Sequence, residues 1–203
     1  MAGDFRDPLV GRDLLVGGLL GLAYASVVYL KTLLHQWSGV VREPIMGGFT
    51  TEPLSGVGGI MVHFLHGFAG TVFAAVLASF LLLVLLTVLR KKRLAIAAFG
   101  LIILAPELVI AINGSWLSLP ADILVAIILT IAAARFGLLA LYSCLLFSGL
   151  SVGNPITSDF SSWYAGITLF AFVLLMSLAV YGFYTSLAGQ KIFEGKFLKD
   201  VET

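Results

Sequence analysis

Charge is what this sequence has least of. Only 11% of its 203 residues are Asp, Glu, Lys or Arg, while 60% are hydrophobic, and the mean hydropathy is +1.06. A water-soluble domain carries roughly 25% charged residues, so a surface built from this chain faces lipid over most of its area. The remaining charges nearly cancel: 12 Lys and Arg against 11 Asp and Glu leave +1, which offers no basic surface for nucleic acid. Cysteine is almost absent too. Cys144 is the one such residue and lies inside an apolar stretch, so no intramolecular disulfide can form. A cleavable leader is also missing from the expectation. The segment 1–13 carries three Asp and two Arg, and the apolar run after it is too long for a leader core, so 14–34 is expected to remain as a span.

What is present is a set of six apolar stretches whose flanks sort by residue class. Arg6, Arg12, Arg90, Lys91, Lys92, Arg93, Arg135, Lys191, Lys196 and Lys199 fall at alternate boundaries. The other boundaries hold only Lys31 and Arg42, and all three tryptophans, Trp37, Trp116 and Trp163. Lys and Arg accumulate on the cytoplasmic side of membrane spans, and Trp favours the membrane–water boundary. Both classes predict one topology: an all-α, polytopic membrane helix bundle of six transmembrane helices with both termini cytoplasmic. The single domain covers 1–203, with helices at about 14–34, 60–89, 94–112, 119–134, 136–151 and 163–187. An outer loop takes 35–59, and a cytoplasmic tail takes 188–203.

Several local features bear on packing. Gly17 and Gly21 on the first helix form a small-xxx-small pair that lets another backbone approach closely. The outer loop contains Glu43-Pro44 and Glu52-Pro53, which oppose a long helix, yet Trp37, Ile45, Met46, Phe49 and Leu54 are too apolar for a free linker. The second apolar run would be ~45 Å long against a hydrocarbon core of ~30 Å, so it tilts or projects. Ala134-Arg135-Phe136-Gly137 leaves almost no loop. A merged helix there would be too long for one span, so a tight inner turn between two short helices is expected.

Candidate chemistry concentrates near the tryptophan-bearing boundary. Glu107 follows Pro106 about two turns from the outer end of the third helix. A carboxylate at the centre of a span costs ~2.5–3.5 kcal/mol on insertion scales, so it needs a partner or a water-filled cavity. Asp122, in the first turn of the next helix, could share a proton with it, and His66 or Lys31 could neutralise it. The speculative ligand or proton site therefore comprises Glu107, Asp122, His63 and His66. The bland alternative is a carboxyl bonded to backbone freed near Pro106. His63 and His66 share a helix face at i,i+3, with His35 on the same side, but no recognised ligand motif surrounds them, and neither a metal nor a cofactor is expected. The run Arg90, Lys91, Lys92 and Arg93 sets topology and could meet anionic lipid headgroups. Gly149-Leu150-Ser151-Val152-Gly153 fits the G-x-S-x-G pattern of serine hydrolases, and the six-span layout resembles rhomboid intramembrane proteases. The last helix here carries no His to serve as the base.

Three stretches carry a broader resemblance: Phe5-Arg6-Asp7-Pro8-Leu9-Val10-Gly11-Arg12-Asp13-Leu14-Leu15-Val16-Gly17, Ala134-Arg135-Phe136-Gly137-Leu138-Leu139-Ala140, and Ser162-Trp163-Tyr164-Ala165-Gly166 with Ala179-Val180-Tyr181-Gly182-Phe183 and Ser186-Leu187-Ala188-Gly189. Together they resemble the C-terminal transmembrane region of acidobacterial-type serine/threonine protein kinases, over about residues 5–200. In that family a kinase domain precedes the membrane region on the cytoplasmic side. The kinase motifs themselves (the Gly-rich loop, the V-A-I-K lysine, H-R-D and D-F-G) are absent from this sequence. The resemblance thus implies a stand-alone relative or the membrane part of a longer protein, with no kinase residue to carry over.

The expected function is a non-enzymatic membrane module, an anchor or sensor for an extracytoplasmic or lipid ligand in a bacterial inner membrane. Its expected partners are the lipid bilayer, a cytoplasmic kinase or other signalling protein, and another copy of the chain through the glycines of the first helix. A small transporter or channel is the alternative, and an intramembrane hydrolase the third reading.

Overall fold

The computed structural model describes residues 7–39, 57–113, 116–154, 161 and 165–187. These form six α-helices: α1 (Pro8–Trp37), α2 (Val57–Leu89), α3 (Lys92–Asn113), α4 (Leu119–Ile131), α5 (Leu138–Val152) and α6 (Ala165–Ser186). A 3₁₀ turn, Trp116–Ser118, leads into α4, and a π-helical turn, Ala132–Phe136, follows it. No strand occurs among the described residues. Four of the helices (α1, α2, α3 and α6), and α4 together with its flanking turns (Trp116–Phe136, 21 residues), are long and apolar enough to cross a membrane; α5, with 15 residues, is shorter. Of the outer loop, 40–56 lies outside the described residues, as does the tail from 188 onward.

Helix α1 begins at Pro8, six residues before the first apolar run. The Asp7 carboxylate accepts the Leu9 N–H at 2.9 Å, and Pro8 occupies a first-turn position where it has no N–H to lose. The helix also continues to Trp37, beyond the expected end at 34. Hydropathy marks where lipid ends, whereas the backbone ladder keeps its hydrogen bonds into the aqueous boundary. For the same reason α2 starts at Val57 and α3 at Lys92, each slightly before its apolar run.

α5 is the central helix, with nine of its fifteen residues buried. Its main neighbour is α1, and small residues set their approach. The buried stripe of α1 is Gly11, Leu14, Gly17, Gly18, Gly21 and Ala25, at three- and four-residue intervals that keep one face toward its partners. Gly17 lies against the Ala140 backbone and Ser143, and Gly21 against Cys144 and Phe147. A Cβ at Gly21 would sit 2.5 Å from the Cys144 carbonyl oxygen. The two glycines are therefore occupied within the chain and offer no exposed seam for self-association. Lower down, Gly11 meets Gly182 and Thr185 of α6 in the same manner.

Cross-helix pairs establish the directions. Along α1, Leu14 accepts from Ser143 Oγ at 2.8 Å, Gly21 meets Cys144, and the Tyr29 hydroxyl donates to the Ser151 carbonyl at 2.5 Å. Both numbers rise together, so α1 and α5 run parallel. Lys31 near the end of α1 pairs with Asp122 near the start of α4, so α4 runs the other way. The chain must therefore reverse between α4 and α5, which is the tight turn expected at 134–137. Gly137 makes the reversal possible: at φ 88° and ψ −165° it occupies a region essentially reserved for glycine, while its N–H donates to Ala132 at 3.1 Å. The reversal between α2 and α3 is equally short, with Arg90 in the left-handed region at φ 52°.

Two apolar clusters stack along the bundle. Leu82, Phe99, Ala132, Ala133, Leu141 and Cys144 form one, and Phe64, Leu146, Leu150, Ile167 and Ala171 form the other. The first lies toward the end where Arg12, Arg90, Lys91, Lys92, Arg93 and Arg135 are exposed. Trp37 and Trp116 are exposed at the opposite end. Elsewhere the exterior is apolar: Phe73, Phe80, Leu83 and Val88 of α2 all point outward, a surface that suits lipid and not water.

Candidate functional site

The strongest polar feature lies at the tryptophan-bearing end, between α1, α3 and α4. Lys31 reaches it from the last two turns of α1, near the end of the first apolar run. Asp122 reaches it because Ser118 and Pro120 start α4 just upstream, leaving the carboxylate in the first helical turn, where exposed N–H dipoles favour negative charge. Glu107 follows Pro106, which α3 accommodates without ending. Pro106 has no N–H to return to the carbonyl four residues earlier, so α3 is locally weakened next to the acid.

These three side chains form one cluster. The Lys31 ammonium donates to Asp122 Oδ1 and lies 3.8 Å from Glu107 Oε2. Their burial is graded: 6% of the Asp122 side chain, 16% of Lys31 and 40% of Glu107 are exposed. Lys31 is thus the partner that both intramembrane carboxylates require, and Glu107 is the member open to the outside. Formal charges of +1, −1 and −1 leave the cluster one unit negative. Tyr24, two turns before Lys31, lies within electrostatic reach of Glu107 and Asp122.

His35 extends the site by one turn of α1. Its ring is buried, and Nδ1 lies 2.8 Å from the Lys31 carbonyl oxygen. A carbonyl only accepts, so Nδ1 carries the proton, and a neutral ring then presents Nε2 as an acceptor. His35 Nε2 and Asp122 Oδ2 are both buried without a hydrogen-bond partner among the described residues. Each such group costs ~1–3 kcal/mol. Residues optimised only for stability do not leave two acceptors unmet at one end of a bundle, and such groups need a specific explanation.

No family model, curated protein or solved structure matches this chain. What the site can do must be read from its own chemistry.

The histidines of α2 take different surroundings. His63 Nε2 lies 3.3 Å from Asn154 Oδ1, just beyond α5, while Asn154 donates to the Leu150 carbonyl at 3.0 Å. His66 is exposed on α2. Of the four residues grouped by sequence, the ion pairs join Glu107 and Asp122 through Lys31, and His63 belongs to a second polar spot with Asn154. Among the described residues no three His, Cys, Asp or Glu side chains gather as a metal centre would. Glu43 and Glu52 lie outside the described residues.

The G-x-S-x-G segment is helical. Ser151 is in the last turn of α5 and buried, and its carbonyl accepts from Tyr29. The strand-to-helix elbow that exposes a hydrolase serine does not occur at this position. Asn154 and Tyr29, which tie the tryptophan-side end of α5 to its neighbours, have no signal in the sequence. Neither sits in a motif, and only the register between helices brings them into contact.

Proposed function

We propose that this chain is the membrane module of a receptor-like signalling assembly. It crosses the cytoplasmic membrane of a bacterium six times with both termini inside, carries out no chemistry of its own, and recognises an extracytoplasmic or lipid ligand. The observation that carries this reading is the Lys31–Asp122–Glu107 cluster: a buried ion pair with a second, accessible carboxylate, at the end of the bundle opposite its exposed Arg and Lys residues.

The distribution of charge favours recognition over transport. From Leu14 to Leu30, and through α2, α3 from Leu94 to Pro106, α4 beyond Asp122, α5 and α6, there is no Asp, Glu, Lys or Arg. A transporter needs charged or polar groups along a path, and here they stop at one end. α5 counts as the sixth span in this reading. At ~22 Å it is shorter than the hydrocarbon core, but neighbours shield it from lipid and it runs the full distance parallel to the middle of α1. The exposed arginines and lysines at the other end support a cytoplasmic assignment there. The resemblance to kinase membrane regions supports a kinase or other signalling protein as the partner on that side.

Two measurements test the proposal. In a Cys144→Ala background, Ser38→Cys is labelled by an impermeant maleimide on intact cells, and Arg135→Cys only after permeabilisation; the reverse pattern sinks the orientation. For recognition, the full chain in lipid nanodiscs is screened with a panel of soluble amines, carboxylates and phosphate esters, following thermal exposure of Cys144 with a thiol-reactive dye. At least one compound should shift the wild-type transition and leave Glu107→Gln unmoved. Equal shifts in both proteins, or none in either, count against the cluster as the recognition seat.

A further inference from the structure

A second site lies on the side of the bundle away from the ion pairs. Between the outer halves of α2 and α5 there is a groove of about 150 Å³, lined by His63, Phe64, Gly67, Phe68, Gly149 and Asn154 among others. Its floor is open because the glycines face it: a Cβ built at Gly67 or Gly149 meets no atom within 4 Å. One flank is closed by Phe64, whose ring packs on Phe170 of α6 with centroids 4.6 Å apart. Around it, Met61, Leu65 and Phe73 are exposed apolar side chains of α2.

The chemistry of the lining selects the occupant. The volume corresponds to about five waters at ~30 Å³ each, but water in a groove needs several polar partners apiece. Most of this lining is aromatic, aliphatic or glycine. The polar atoms gather where His63 meets Asn154; Thr71, also in the lining, already donates to the Gly67 carbonyl at 2.8 Å. His63 is six residues into α2, so this polar spot lies ~9 Å from the outer end of the helix. At 33 residues α2 exceeds the ~20 needed to cross the hydrocarbon core, so a position this near its outer end falls at the outer boundary of the bilayer. No Asp, Glu, Lys or Arg lines the groove, so the part of the ligand inside it is uncharged. We infer that the groove binds one phospholipid of the outer leaflet, with an acyl chain along Gly67, Phe68 and Gly149 and its neutral ester group against His63 and Asn154.

The glycines make the test direct, because a Cβ added at either one meets open space. The full chain is extracted in mild detergent and weighed by native mass spectrometry. Wild type and the control Ala74→Leu, on an exposed position of the same helix, should retain one phospholipid. Gly67→Leu and Gly149→Leu should each lower that fraction about tenfold while keeping a cooperative Cys144 labelling transition. An independent arm leaves the groove unfilled. Phe68→Trp should be quenched by mid-chain brominated phospholipid at lower bromolipid fractions than Phe80→Trp, which faces bulk lipid. Retention of detergent alone, equal retention in all four proteins, or equal quenching of the two tryptophans overturns the proposal.

Discussion

Lys31→Met should destabilise the bundle by about 3–5 kcal/mol, the usual cost of stripping the partner from a buried charge. Asp122 is 6% exposed and its Oδ2 lacks a partner among the described residues, so removing the ammonium leaves only the N-terminal dipole of α4 to offset the carboxylate. The effect is asymmetric. Asp122→Asn still leaves Lys31 beside Glu107, 3.8 Å away, and should cost less. Glu107→Gln should cost least, ~0–1 kcal/mol, because that carboxylate is 40% exposed and its pair is the longer one. The double variant Lys31→Met/Asp122→Asn should recover most of the loss, since no isolated charge then remains buried. Cys144 is 0% exposed and the chain's one thiol, so its reactivity toward a maleimide dye during denaturation in nanodiscs reports all four. If Lys31→Met and Glu107→Gln prove equally mild, the cluster is not the buried network described above.

Gly21→Leu should be as damaging through a different route. Its first side-chain atom would fall 2.5 Å from the Cys144 carbonyl oxygen and 2.7 Å from the Phe147 Cβ. The Cys144 oxygen is backbone in the middle of the central helix, so relief requires α1 and α5 to separate. Overpacking a well-filled core costs ~1–3 kcal/mol and sometimes more, and here separation also breaks the Ser143-to-Leu14 and Tyr29-to-Ser151 hydrogen bonds. Gly21→Ala should already lower the labelling midpoint. Gly70→Ala, where an added Cβ meets nothing within 4 Å, should not, or should raise it slightly by removing a flexible residue from a helix. Similar tolerance at Gly21 and Gly70 would mean that α1 and α5 do not approach as described.

The contrast among these glycines shows how far the sequence could be read. Gly17 and Gly21 carried a packing signature at i,i+4, but the same spacing suits a second copy of the chain as well as a neighbour within it. Gly67 carries no signature and Gly149 only that of the G-x-S-x-G pattern, yet both border a groove. Lys31 is similar: the sequence offers it, beside His66, as a neutraliser of Glu107, but its role as the common partner of Asp122 and Glu107 depends on α1, α3 and α4 arriving side by side. Helix ends depart from the apolar runs in both directions: Asp7 and Pro8 start α1 early by capping chemistry, which hydropathy does not see, whereas α4 ends early at Ile131 and α5 starts late at Leu138, where the π turn and Gly137 reverse the chain.

The residues alone established an all-helical, lipid-facing chain, the positions of its apolar helices, and the segregation of basic residues from tryptophans. Each of these is a property of one segment in its solvent: ~20 apolar residues are needed to cross hydrocarbon whatever lies beside them, and a charge or an indole finds its depth unaided. Tertiary structure decided that α5 sits at the centre, that α1 runs beside it in parallel, that Lys31 joins two carboxylates, and that His63 turns instead toward Asn154 and the groove between α2 and α5. Those are properties of pairs of segments. Lipid tails are as apolar as the helices themselves, so close packing and a few polar contacts select the partners, and both depend on a register that no single stretch of this sequence contains.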